Sequence, residues 1–174
     1  MGYVSRYGRG TPAAPGVIIP PASAVAAAVA TWPVANTMIC NRFTVQAPTA
    51  VRYMNYRIGV SSGNIQFGIV SLAPNGNAAQ QTAVLVASSG VIACPTGNAD
   101  YHGDLGATVY LAPGDYGAFF WADNTTMSTP NAAVAGFTAA RSSFSSASLA
   151  SGVTGTNTAS VTTRWVSGLT LESV

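Results

Sequence analysis

The stretch Ala107–Thr126 of this chain, ATVYLAPGDYGAFFWADNTT, contains two apolar segments joined by a Pro-Gly-Asp turn and followed by a polar loop. Apolar residues alternate before the turn, and after it they occupy both faces of an extended chain. The apolar residues after the turn are Tyr116, Ala118 and Phe120 on one face and Phe119 and Trp121 on the other. The pattern predicts a β-hairpin whose second strand is covered on both sides, inside a sandwich or at a subunit interface.

The composition describes a chain with very few charges. Of its 174 residues, 48% are hydrophobic and 7% are charged, whereas about 25% are charged in ordinary soluble domains. The length fits one domain with a substantial core. Because so few charges protect the surface from association, the composition favours a protein whose surface is occupied by copies of itself or by a scaffold. An Ala- and Gly-rich soluble domain is the simpler alternative.

The basic residues are all arginines, spread along the chain. Seven arginines and five acidic residues give a net charge of +2, and the sequence has no lysine. The arginines form no basic stripe, so we expect no nucleic-acid partner. The lack of lysine is most simply a coding bias, although arginine also suits ion pairs at interfaces.

Residues 1–35 are predicted to form an extended N-terminal arm and lead-in. Five prolines interrupt its apolar run, and a membrane-spanning helix needs about 20 residues without such breakers, so we expect no membrane partner. Tyr3, Arg6, Tyr7 and Arg9 are the groups with which the arm would dock on a partner. An unattached flexible tail is the alternative.

Short alternating segments separated by turn signals continue along the chain. They are 37–46, 50–60, 65–69, 83–95 and 161–171, with a further strand around 135–141. Ser88-Ser89-Gly90 is expected to bend the fourth segment. About eight short strands without a long helix predict an all-β fold, and the jelly roll is the commonest way to close so many. We therefore predict a jelly-roll β-sandwich over residues 36–174.

Cys40 and Cys94 are the two cysteines. Two cysteines in a chain of this length are not a disulfide framework. Both lie in segments where small buried thiols are common. They form either one bridge or two buried thiols, and the pattern favours free thiols.

The motifs with catalytic or metal-binding precedent are weak. Gly59-Val60-Ser61-Ser62-Gly63 matches the nucleophile elbow G-x-S-x-G, but that elbow requires a following helix, and here a strand follows. We interpret it as a hairpin turn. Asp100, His102 and Asp104 alternate along the chain, but three such ligands on a flexible loop bind a metal weakly, so we interpret the segment as a polar loop. We expect no enzyme, no metal and no cofactor.

Trp121, Asp123 and Asn124 form an aromatic and amide cluster of the kind that contacts sugars. The sequon at Asn124 matters only in a protein secreted by a eukaryote. Asp-Asn after a strand is also an ordinary turn. A glycan contact at these three residues is therefore the alternative to a structural loop.

Three segments together resemble a jelly-roll module of structural proteins of tailed bacteriophages. They are YRIGVSSGNIQFGIVS (56–71), SSGVIACPTGN (88–98) and TVYLAPGDYGAFFWADNTT (108–126). The resemblance covers roughly residues 51–126, and its most specific elements are the hydrophobic-Pro-Gly-Asp-Tyr and Trp-Ala-Asp-Asn sequences that flank the predicted hairpin. The module occurs in head decoration proteins, head fibres and the tips of tail fibres.

The resemblance implies a structural virion protein, a homotrimer bound to the major capsid protein, located on the capsid surface and assembled in the bacterial cytoplasm. Because only a short arm precedes the domain, a minor capsid protein that decorates or cements the shell is favoured over a fibre. The alternative function is a carbohydrate-binding or receptor-binding module of a tail fibre or head fibre that recognises a host surface glycan.

Overall fold

The computed structural model describes residues 28–74, 80–133, 139–142, 153–161, 163–165 and 170–173. Within these ranges the chain is all-β, its paired strands are antiparallel, and no helix is present, so none is long and apolar enough to cross a membrane. The strands are β1 (Ala28–Thr31), β2 (Thr37–Val45), β3 (Thr49–Ile58), β4 (Asn64–Pro74), β5 (Gln80–Ser88), β6 (Ile92–Ala93), β7 (Ala99–Leu111), β8 (Gly114–Ala122), β9 (Ser128–Ala133), β10 (Ala139–Ser142), β11 (Val153–Val161), β12 (Thr163–Trp165) and β13 (Thr170–Ser173).

These strands form three sheets. The large sheet has the order β10-β11-β5-β4-β8-β2, with β6 paired to β4. The small sheet has the order β13-β3-β7, and a third sheet has the order β1-β9-β12. β1 belongs to the predicted lead-in, whereas the arm residues Tyr3, Arg6, Tyr7 and Arg9 lie outside the described residues.

The pairing between distant strands is nested. β2 pairs with β8 in the large sheet, and β3, which follows β2, pairs with β7, which precedes β8, in the small sheet. β4 then pairs with both β8 and β5. The chain therefore passes between these two sheets after β2, after β3, after β6 and after β7.

The predicted hairpin over 107–126 is wrong. β7 and β8 follow one another, but β7 pairs with β3 while β8 lies between β2 and β4. The physical reason is the difference between their faces, because β8 is apolar on both and suits the centre of a sheet, whereas β7 alternates between buried and exposed residues. The segment Gly59–Gly63, also predicted as a hairpin turn, likewise joins strands of different sheets.

The main core lies between the large and small sheets. Phe120 of β8 is fully buried and lies opposite Ile39 of β2 and Phe67 of β4. Tyr56 of the small sheet packs on Phe67 and Phe120, with ring centroids 4.8 and 5.6 Å apart. Aromatic contacts thus join the two sheets at the centre of the sandwich.

A second core covers the opposite face of the large sheet. Its buried members are Met38, Cys40, Val70, Leu72, Ala83, Phe119 and Trp121. β10 contacts β2, although the two strands stand at opposite ends of the sheet order, so the sheet curls towards closure. The expectation that both faces of β8 are covered is confirmed, and these side chains are buried within a single chain.

Several other local predictions agree with the structure, but the single last strand expected over 161–171 is wrong, because β12 and β13 in this range pair in different sheets. β2, β3 and β4 lie where alternation placed them, and the break expected at Ser88-Ser89-Gly90 separates β5 from β6. Both cysteines are free, as the sequence favoured, with Cys40 buried and Cys94 half-buried.

Candidate binding face on the small sheet

The outer face of the small sheet gathers charged and aromatic side chains. Along β3, buried residues such as Met54 and Tyr56 point into the main core and their neighbours point outwards. Along β7, exposed residues alternate with the buried Gly103 and Leu105. The outward side chains, which we call the binding face, are Arg52, Tyr53, Asn55 and Arg57 on β3 and Asp100, His102 and Asp104 on β7.

An irregularity in the ladder places Arg52 and Tyr53 on the same face. Val51 pairs with Val109 and Tyr53 pairs with Asp104, so β7 bulges over the residues between those two partners. Gly106 in this bulge has φ +84°, a conformation that glycine adopts without strain. The bulge brings two outward side chains of β3 together at one end of the binding face.

One ion pair stabilises the bulge. The Arg52 guanidinium donates from Nε and Nη2 to the Asp104 carboxylate at 3.3 and 3.1 Å, and the Gly106 N–H donates to Asp104 Oδ1 at 2.8 Å. The hydrogen bonds from Arg52 and Gly106 lower the pKa of Asp104, and the same carboxylate raises the pKa of Arg52. This bidentate geometry is stronger than a single contact, although both side chains remain partly exposed.

An aromatic stack occupies the centre of the binding face. The rings of Tyr53 and His102 are 4.4 Å apart between centroids and inclined by 29°. The Arg52 guanidinium carbon lies 5.5 Å from the Tyr53 ring centroid, within the range of a cation–π contact. The three side chains therefore form one layered group across β3 and β7.

A second ion pair lies at the other end of the binding face. Arg57 donates from Nη1 to Asp100 Oδ2 at 2.8 Å and from Nη2 to Asn98 Oδ1 at 3.2 Å. Asn98 has φ 56° in the loop before β7, which suits asparagine better than most residues. The Asp100 side chain remains 77% exposed.

The loop expected at Asp100, His102 and Asp104 is wrong: these residues lie on β7, and their alternate positions bring them to one face because β7 is extended and paired with β3. These three side chains contact other side chains of the sheet. Both carboxylates are paired with arginines, and His102 stacks on Tyr53. In the part of the chain that the structure describes, no group of three His, Cys, Asp or Glu residues is placed to hold a metal ion.

The predicted glycan residues occupy two different environments. Trp121 is only 4% exposed and belongs to the second core, so its ring has no free face for stacking on a sugar. Its Nε1 and Thr129 Oγ1 are buried polar atoms that lack a hydrogen-bond partner among the described residues. Asp123 and Asn124 lie instead in the loop after β8.

Asp123 and Asn124 join two loops at one end of the sandwich. Asp123 accepts hydrogen bonds from the backbone and side-chain nitrogens of Asn64 at 2.9 and 2.7 Å, and Asn124 Nδ2 donates to the Ser62 carbonyl at 3.0 Å. Burial alone raises the pKa of Asp123, but the hydrogen bonds from Asn124 and Asn64 outweigh it and lower that pKa. These hydrogen bonds are typical of a structural loop, which was the alternative to a glycan contact at these residues.

Ser61, the central residue of the G-x-S-x-G match, has a structural contact. Its hydroxyl donates to the Cys94 carbonyl at 3.1 Å. The serine therefore ties the loop before β4 to the segment after β6. The histidine, His102, is stacked on Tyr53 on the outer face of the small sheet.

Sequence reasoning missed Arg52, Tyr53 and Arg57 as members of a candidate site. The available signal was two arginines, five residues apart, on the predicted strand 50–60 and two aspartates, four residues apart, at positions 100 and 104. No family model, no curated protein and no solved structure matches this chain.

Proposed function

We propose that this chain is a structural protein of a tailed-bacteriophage virion, a jelly-roll decoration or minor capsid protein that binds the capsid surface as a homotrimer. The observation that carries the proposal is the nested order in which β2 pairs with β8 and β3 with β7 across two packed sheets. A jelly roll is a double-sheet sandwich built from such non-local antiparallel pairs. This strand order supports the resemblance to virion jelly rolls.

The distribution of apolar side chains supports association with neighbours. Several large apolar residues remain exposed on the described surface: Val34, Val60, Val84, Val91 and Tyr110, the last by 82%. With 7% charged residues in the chain, such surface is weakly protected from self-association. A capsid-bound oligomer covers this surface, whereas a free monomer exposes it.

The glycan-binding alternative is not favoured by a specific contact. It requires an exposed aromatic patch, but Trp121 is buried and Tyr116 stacks on Phe43 with centroids 5.8 Å apart. Tyr110 is exposed, but it belongs to β7 of the small sheet and not to the large sheet that holds the other two. Sugar binding therefore stays a second hypothesis, because these three aromatic residues do not form one exposed patch.

The proposal is tested by three measurements: the mass of the purified chain, its rebinding to capsids and its position on the virion. Sedimentation equilibrium is expected to give three times the monomer mass of 17.6 kDa. Capsids stripped of this protein are expected to rebind it, and immunogold labelling is expected to place it on the head. A monodisperse monomer would remove the trimer, and labelling confined to the tail tip would replace decoration by receptor binding.

A further inference from the structure

The charges on the binding face are separated by strand. Arg52 and Arg57 extend from β3, whereas Asp104 and Asp100 extend from the neighbouring β7. Four residue steps along β7 separate the two aspartates, a distance of about 13 Å in an extended strand. One strand of the face is therefore positive and the adjacent strand is negative.

We propose that this face binds the same face of a second copy of the chain, with β3 of each copy lying over β7 of the other. A two-fold axis parallel to the strands, between β3 and β7, exchanges the two strands and preserves the position along them. It places Arg57 of one copy over Asp100 of the other at one end. At the other end it places Arg52 over Asp104.

The two-fold operation repeats each contact, as in any isologous interface. Four intermolecular arginine–aspartate contacts therefore arise from two pairs on one chain. An axis that placed β3 over β3 would bring arginines together and would be repelled. The charge pattern thus selects one arrangement of the two copies.

The ion pairs within each chain leave groups available for this contact. A carboxylate has about four acceptor positions, and the Asp100 side chain, which accepts from Arg57, is 77% exposed. A guanidinium has about five N–H donors, of which Arg57 uses Nη1 and Nη2 for Asp100 and Asn98. Asp100 can therefore accept a second arginine without losing the first, and Asp104, which accepts hydrogen bonds from Arg52 Nε, Arg52 Nη2 and Gly106 N, keeps about one acceptor position for the partner.

The centre of the face suits the same occupant. The stacked Tyr53 and His102 lie between the two charged ends, with Asn55 paired in register with His102. Tyrosine and arginine are enriched where proteins bind one another, and hot spots lie near the centre of an interface. A second copy covers this aromatic centre while its charged strands meet their opposites at both ends.

This contact is separate from the proposed trimer. A trimer interface is heterologous, whereas the contact proposed here is isologous, so both can occur in one assembly. Face-to-face pairing of trimers gives hexamers when the two-fold axes cross the three-fold axis at right angles and larger assemblies otherwise, and pairing of monomers gives dimers. A failure of the trimer therefore leaves this proposal open to measurement.

The test reverses one ion pair within the chain. Arg57→Asp with Asp100→Arg keeps an intrachain pair and the net charge, and it leaves Asp104 in place to accept the Gly106 N–H. The reversed chain is expected to associate with itself as the original chain does. When a reversed chain meets an original one, two arginines face each other at one contact and two aspartates at its symmetry mate. We therefore expect this mixed association to be at least tenfold weaker.

The measurement is sedimentation velocity with a labelled tracer. An amine-reactive dye labels only the N-terminus, because the chain has no lysine. Labelled reversed chain is mixed with an excess of either protein over micromolar to millimolar concentrations, and raising the salt is expected to weaken self-association. Asp115→Asn, on β8 of the large sheet, is the control that changes a charge elsewhere and leaves association unchanged.

Two results would overturn the proposal. One is equal association of the reversed chain with itself and with the original protein. The other is an original chain whose mass shows no pairing beyond the monomer or trimer at any concentration. Circular dichroism and thermal melting of the reversed chain establish that it is folded before either result is interpreted.

Discussion

The Asp123 carboxylate occupies the space that a side chain on Gly63 would need. A Cβ atom at position 63 would lie 2.2 Å from Asp123 Oδ1, and Gly63 has φ +60°. The glycine allows the loop before β4 to approach the loop after β8, where Asp123 and Asn124 hydrogen-bond to it. A close backbone approach at one residue thus aligns two loops that join different sheets.

Gly63→Ala is expected to destabilise the fold more than Gly90→Ala. Both positions have positive φ, which costs an alanine about 1–2 kcal/mol, but a Cβ at Gly90 meets nothing within 4 Å. The clash at Gly63 adds about 1–3 kcal/mol of overpacking. Urea unfolding of both variants measures the difference, and equal losses would show that the loop moves freely away from position 63.

Asp104→Asn is expected to weaken the stability at neutral pH and to flatten its dependence on acid. The pKa of Asp104 lies below the ordinary 3.8 because Arg52 and Gly106 donate to the carboxylate. A carboxyl with a depressed folded pKa stabilises the native state above its unfolded pKa, and this stabilisation is lost as the pH falls through the folded value. Denaturation curves between neutral pH and pH values below the ordinary 3.8 test this window.

Arg52→Gln is the matched control for Asp104→Asn. It removes the main donor to Asp104 but retains the carboxyl, so it is expected to remove most of the same acid dependence. The double variant should add little to either single variant. Additive losses would indicate that the two side chains act independently.

Tyr56→Phe is expected to remove part of the alkaline destabilisation. Burial raises the pKa of Tyr56 from 10.0 to about 12. Below the unfolded pKa the phenol is neutral in both the folded and the unfolded state. As the pH rises from the unfolded pKa through the folded pKa, the unfolded state ionises first, so the free energy of unfolding falls. The difference between these two pKa values corresponds to at most roughly 3 kcal/mol. The variant and the original chain are compared by denaturation across this window, and parallel curves would contradict the prediction.

Deletion of residues 1–10 is expected to leave the sandwich folded and to weaken capsid attachment at least tenfold. The arginines of this segment can make charge-assisted hydrogen bonds to capsid carboxylates, while its tyrosines supply packing area. Arg6→Ala with Arg9→Ala is expected to produce part of the loss. Equal binding by the truncated and full chains would place the docking surface on the body of the protein.

Alternation and turn chemistry predicted much of the local structure. The period of two located β2, β3 and β4, and Ser88-Ser89-Gly90 located the break after β5. These features are local because the backbone pleat sends successive side chains to opposite sides whatever the neighbouring strand is.

Which residues form the binding face depends on the pairing of distant strands, and the alternation of residues along the chain does not specify that pairing. Arg57 meets Asp100 because β3 pairs with β7, and Arg52 meets Asp104 because a bulge shifts the register between them. Strand pairing is set by which assembly of strands buries the most apolar surface, a property of the whole chain.

The local sequence pattern was enough to predict the all-β class and the apolar side chains on both faces of β8. Tertiary structure alone decided that β7 and β8 enter different sheets and that the face carrying Trp121 lies in a second core. The alternation of side chains along a strand specifies the face of the sheet on which a residue lies, but not which other residues cover that face. Only the packing of distant strands supplies that cover, and it separates the buried Trp121 from the exposed Tyr110.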